Sequence, residues 1–132
     1  MRIATTFLIL AFLIVGCKKE ESNPTENGPA INIISPTSQD IPTTGSIVEI
    51  NAAITDDDDV HDVTINITND YSTEPASIEI IFDHIHHTIF NVDTSFVADI
   101  PSGSMANYTI QISAEDISGN SNSASVTFHV MD

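Results

Sequence analysis

Val48-Glu49-Ile50-Asn51-Ala52-Ala53-Ile54-Thr55-Asp56-Asp57-Asp58-Asp59-Val60-His61-Asp62-Val63-Thr64-Ile65-Asn66-Ile67 alternates apolar and polar side chains on either side of a run of four aspartates. Val48, Ile50, Ala52 and Ile54 form one set, and Val63, Ile65 and Ile67 form another. A period of two places each set on one face of a pleated strand, with Glu49, Asn51, Thr64 and Asn66 on the other. The same period recurs outward along the chain. It appears in Ile78, Ile80 and Phe82; in Phe96, Ala98 and Ile100; in Tyr108, Ile110, Ile112 and Ala114; and in Ala124, Val126, Phe128 and Val130. Ile31-Asn32-Ile33-Ile34 is a shorter candidate. No window carries a helical stripe. Clusters of Pro, Gly, Asn and Asp separate the runs, including Pro42-Thr43-Thr44-Gly45, Pro101-Ser102-Gly103 and Ser118-Gly119-Asn120. Seven or eight short strands so punctuated predict an all-β, antiparallel β-sandwich, with the aspartate run as the turn between two of its strands.

Charge narrows the partners. The chain holds 3 Lys and Arg against 19 Asp and Glu, and the last basic residue is Lys19. Every carboxylate lies beyond it, so the folding part carries only negative side chains apart from its five His. Such a surface repels nucleic acid and anionic lipid and attracts cations. A catalytic role is not expected. There is no Gly-x-Ser-x-Gly elbow, and beyond Lys19 no Lys or Arg to stabilise an oxyanion or a phosphate. With no Trp and two Tyr, aromatic platforms for stacking on sugars are scarce.

The N-terminus reads as a targeting segment. Arg2 precedes the unbroken apolar run Phe7-Leu8-Ile9-Leu10-Ala11-Phe12-Leu13-Ile14-Val15, which is shorter than the ~20 residues a spanning helix needs. Ile14-Val15-Gly16-Cys17 resembles the bacterial lipobox, in which the cysteine is lipidated and the chain is cut just before it. That resemblance implies a lipoprotein signal peptide over residues 1–16 and a membrane anchor through lipid on Cys17. Residues 17–30, polar and with two Pro, read as the lipidated cysteine and a flexible tether. Residues 31–132 read as the folded domain. Cys17 is the only cysteine, so the domain has no disulfide and no thiol ligand. Lys18 follows the cysteine directly, with Glu20 and Glu21 beyond. This resembles outer-membrane sorting and, more loosely, surface export.

Three stretches resemble bacterial immunoglobulin-like domains of cell-surface proteins. They are Ile33-Ile34-Ser35-Pro36, the acidic segment from Ile54 to Val60, and Ala114-Glu115-Asp116-Ile117-Ser118-Gly119-Asn120 before a last strand. More narrowly, the chain resembles small Bacteroidota-type lipoproteins with a single such domain, a family without a settled biochemical role. The resemblance implies an immunoglobulin-like sandwich, in which three inter-strand turns gather at one end.

Two cation chemistries are expected at that end. Asp56, Asp58, Asp116 and Asn120 offer clustered oxygens of the kind Ca²⁺ takes. His84 and His86 sit two apart, a spacing that puts both on one face of a strand, and with His61 or Asp83 they offer imidazole nitrogen to Zn²⁺ or Cu²⁺. His87 would point the other way, and His129 lies at an outward strand position. The expected function is therefore an outer-membrane or surface lipoprotein presenting an acidic binding or adhesion module to a protein partner, stabilised by calcium. The alternative is a lipoprotein that captures zinc or copper.

Overall fold

The computed structural model describes residues 28–71 and 77–132. The expected signal peptide, the lipobox-like stretch and most of the expected tether lie outside the described residues. Those that are described form six strands and no helix: β1 (Ala30–Ser35), β2 (Ser46–Asn69), β3 (Ile78–Phe82), β4 (His87–Ala98), β5 (Met105–Asp116) and β6 (Ser121–Met131). All their ladders are antiparallel.

β2 is the organising element. Its first half pairs with β1 and β4, from Ser46 opposite Ala98 to Thr55 opposite Ile89 and Ala30. Its second half pairs with β3 and β5, from Val63 opposite Phe82 and Ala114 to Ile67 opposite Ile78 and Ile110. Between the halves the register breaks, and Val60 pairs with His87 on one side and with Asp116 on the other. The strand thus crosses from one layer of a sandwich to the other. One layer is β1, the first half of β2 and β4; the other is β3, the second half of β2, β5 and β6.

The antiparallel sandwich matches the sequence reading, with one correction. Six strands replace seven or eight, because residues 56–59 continue β2 instead of ending one strand and starting another. Four aspartates favour a turn by composition. Here they form an irregularity within β2, between the ladder that ends at Thr55 and Val60, which has partners in both layers. β1 opens at Ala30.

The alternating sets meet between the layers. Ile50, Ile54, Val60, Val63, Ile65, Ile110, Ile112, Phe128 and Val130 are fully buried. Each such side chain contributes about 1.5–3 kcal/mol by leaving water. At the end where β5 begins, the Tyr108 ring lies between Phe96 and Phe128, with centroids 5.7 and 6.0 Å away. Its hydroxyl donates to the Asp99 carbonyl at 2.9 Å and accepts from the Asp99 N–H at 3.2 Å. That bond, from early in a strand back to the preceding corner, is the tyrosine corner of immunoglobulin-like sandwiches. Thr44 closes the same end, its Oγ1 donating to the Ile100 carbonyl and accepting from the Ile100 N–H.

Candidate functional site at the sandwich apex

Three segments meet at the opposite end, the apex: the crossing of β2 at residues 56–62, the β3–β4 connection at 83–86 and the β5–β6 turn at 117–120. Backbone hydrogen bonds tie them together. The Ile85 N–H donates to the His61 carbonyl at 3.0 Å, and the His86 N–H to the Val60 carbonyl at 2.9 Å. The Ile117 N–H donates to the Asp59 carbonyl at 2.9 Å. The chain also enters here, because Ala30 lies opposite Thr55. A Cβ on Gly28 would stand 2.6 Å from the Ser121 carbonyl carbon, so only glycine fits where the entering chain presses on β6.

His84 and His86 adopt left-handed backbone conformations, with φ of 56° and 53°. This region is uncommon for a non-glycine residue, though His is enriched in it. Between them Ile85 is half-buried and packs on the core. The two histidines therefore share a side, although not as neighbours on a strand: β3 ends at Phe82 and β4 starts at His87. Their rings stand 6.4 Å apart, and each is 5.2 Å from the ring of His61, centroid to centroid. His61, His84 and His86 thus form a triangle. His87 is exposed at the start of β4, and His129 is exposed near the far end of β6, outside it.

Each of two triangle members has a carboxylate behind it. Asp62 Oδ2 lies 3.1 Å from His61 Nδ1, and Asp83 Oδ2 lies 3.5 Å from His84 Nδ1. A carboxylate beside Nδ1 is the arrangement that orients a metal-ligating imidazole and turns its Nε2 toward the ion. The Asp62 side chain also accepts the His84 N–H at 3.3 Å. Sequence reasoning offered Asp83 as a ligand and overlooked Asp62. The signal was present in the adjacent pairs His61-Asp62 and Asp83-His84. Among the described residues no three His, Cys, Asp or Glu side chains already surround a common point. The imidazoles would have to turn about their side-chain torsions to share an ion.

The oxygen cluster is differently committed. Asp116 is the only buried charged or polar side chain among the described residues, 3% exposed. Its Oδ1 accepts the Asn120 N–H and its Oδ2 the Asn120 side-chain amide, both at 2.8 Å. Burial works against its charged form, but these bonds and the N–H groups of Ser118 and Gly119 outweigh that and hold the carboxyl below its ordinary range. Asp58 accepts the Ser118 hydroxyl at 3.0 Å, and its N–H bonds to Asp56 Oδ1 at 2.9 Å. Asp56 is pushed the other way. Burial raises its carboxyl, the Asp58 N–H partly offsets this, and Asp116, Asp57 and Asp58 add to it by repulsion. The structure brings Asp56, Asp58, Asp116 and Asn120 to one end, with Asp116 and Asn120 bound to each other.

Fold and site together define a small antiparallel sandwich with an acidic, histidine-bearing apex. The chain belongs to the family described as Domain of unknown function (DUF4625), whose model matches residues 15–131. No curated protein matches it.

Proposed function

We propose that the protein is an envelope lipoprotein, anchored through lipid on Cys17, whose apex captures Zn²⁺ or Cu²⁺ with His61, His84 and His86. The observation that carries this is the triangle of rings at 5.2, 5.2 and 6.4 Å. With metal–nitrogen bonds of about 2.0–2.1 Å, imidazoles at tetrahedral angles around one ion have centroids roughly 5 Å apart. Two sides of the triangle are already of that size, and the third, at 6.4 Å, shortens when the rings turn toward one ion. Asp62 and Asp83 supply the carboxylates that orient ligating histidines. With no thiol ligand available, hard or borderline divalent ions are favoured over Cu⁺.

Three protein nitrogens leave a fourth position for water or a ligand from a partner. The His84 side chain is 73% exposed, so an ion held there remains accessible for transfer. The uncompensated carboxylates draw cations toward the apex. The role is one of binding, without a catalytic step. The anchor is supported by the lipobox-like Gly16-Cys17, which lies within the family match.

Metal-stripped protein should melt higher on adding Zn²⁺ or Cu²⁺, by about 2.7 kcal/mol of stability at a hundredfold excess over the dissociation constant. Replacing His84 and His86 by Ala should remove the response. A second reading has a specific observation behind it: the crowding that raises Asp56. In that reading Ca²⁺ at Asp56, Asp58, Asp116 and Asn120 stiffens a surface adhesion module for a protein partner. A response to Ca²⁺ alone, indifferent to the histidine replacements, selects it over the first.

A further inference from the structure

The two long sides of the sandwich are finished differently. On the β1/β6 side the layers are closed. β1 and β6 touch, and the register of β1 breaks between Ile33 and Ser35. Thr43 forms a parallel bridge to Met131, with the Thr44 N–H donating to the Met131 carbonyl at 2.8 Å and the Met131 N–H to the Pro42 carbonyl at 3.2 Å. Gly28 sits against the Ser121 backbone at the other end of β6. Strand edges on this side are covered at both ends.

On the other side, among the described residues, β3 and β4 each pair with β2 and with no further strand. Half-buried side chains of the described residues fill the gap between them. Phe82 and Phe90 touch with ring centroids 5.3 Å apart, and Ile80 and Ile85 join them against the core. Ile81 and Ile89, 59% and 61% exposed, alternate with these and lie on the outer faces of the two layers. β4 is the longer edge. From Ala98 to Ile89 it runs in unbroken register with β2. It contains no Pro, Lys or Arg. Natural sheets guard an edge with charged side chains, Lys above all, with Pro, with a bulge or by covering it, and from Ile89 to Ala98 β4 carries Asp93 alone of these. Alternate residues of such an edge turn their N–H and C=O groups away from the sheet.

We propose that the open β3/β4 side is a strand-addition site, where β4 takes an extended, basic and apolar segment of a partner protein as its missing neighbour. Charge selects that occupant. Beyond Lys19 the chain has no Lys or Arg, and Glu79 lies on β3 and Asp93 on β4. An alternating segment places its apolar side chains over Phe82 and Phe90 and its basic ones toward these carboxylates. A second copy is disfavoured, because pairing β4 with β4 would join two bodies of the same strong negative charge. This site is separate from the histidine triangle.

The test uses the full chain, metal-free and ¹⁵N-labelled, with three blocked heptapeptides: alternating lysine and valine, the same peptide N-methylated at its valines, and alternating glutamate and valine. The first should slow exchange of alternate β4 amides by about tenfold or more, leaving β5 unchanged. The second and third should not. The His84→Ala, His86→Ala double variant should respond like the parent, which separates this outcome from any failure of the metal reading. Equal effects of the N-methylated peptide would mean electrostatic adsorption alone and overturn the proposal. So would absence of slowing. Sedimentation of a dimer whose β4 amides are protected without peptide would assign the edge to a second copy, and also overturn it.

Discussion

Asn120 gives Asp116 two hydrogen bonds, one from its backbone N–H and one from its side-chain amide, each at 2.8 Å. They close the β5–β6 turn and fill both oxygens of the only buried charge among the described residues. Replacing Asn120 by Ala keeps the first bond and removes the second. Leaving a buried carboxylate oxygen without its partner costs about 1–3 kcal/mol, so Asn120→Ala should unfold at correspondingly lower denaturant concentration. The sign with pH follows from the depressed Asp116 carboxyl. Its contribution is present above the unfolded value near 3.8 and is lost as pH falls through the lower folded value. The gap between variant and parent should therefore close in strong acid.

Asp56 should behave in the opposite sense. Its carboxyl is raised, so its charge weakens the folded state above its folded value, and protonation relieves this as pH falls. Asn at this position keeps an oxygen for the Asp58 N–H and drops the charge. Asp56→Asn should stabilise the metal-free protein at neutral pH by a few tenths of a kcal/mol up to about 1 kcal/mol, the scale of exposed charge interactions. The gain should vanish in acid. Melting curves at several pH values read this directly, and a loss of stability at neutral pH would contradict it.

The left-handed backbone of His86 separates two effects that an alanine scan merges. Glycine adopts φ near 53° without steric cost, whereas a β-branched residue does not. In metal-free protein His86→Gly should be close to neutral and His86→Val should lose about 1–2 kcal/mol. Both should abolish the zinc or copper response. If the glycine variant melts far below the parent, the ring packs rather than merely faces solvent.

Gly28→Ala should detach the entering chain. The added Cβ meets the Ser121 backbone, which is no flexible side chain that can swing aside. A cost of about 1–3 kcal/mol is expected for such overpacking, with faster amide exchange concentrated at Ala30 and Ser121. Tyr108→Phe tests the other end. It removes the hydroxyl bound to Asp99 while the Phe96 and Phe128 contacts stay, and should cost about 1–2 kcal/mol.

The strands were largely legible because their burial alternates. Tyr108, Ile110, Ile112 and Ala114 all face the core as their period implies. β4 was seen only from Phe96 because Thr94 interrupts its apolar set, although Phe90 and Val92 continue the same face. The aspartate run reads as a turn by composition, whereas its place inside β2 depends on Val60 having partners in both layers. No local signal carries that. Topology sends the histidines to this end if the strand from Ile78 closes at Phe82, as β3 does. The spacing argument for them failed, because left-handed φ values in a connection, not strand pleating, put His84 and His86 on one side. The apical entry of the chain was invisible for the same reason, as it follows from Ala30 lying opposite Thr55.

That entry point sets a posture. With Cys17 held in lipid as proposed, the ten residues before Gly28 reach at most about 35 Å even when fully drawn out. The histidine triangle would then lie at the tethered end of the domain and the tyrosine corner at the far end. Ions taken up by the triangle would be held within the tether's reach of the lipid surface, while the open flank of β4 would remain reachable from the side.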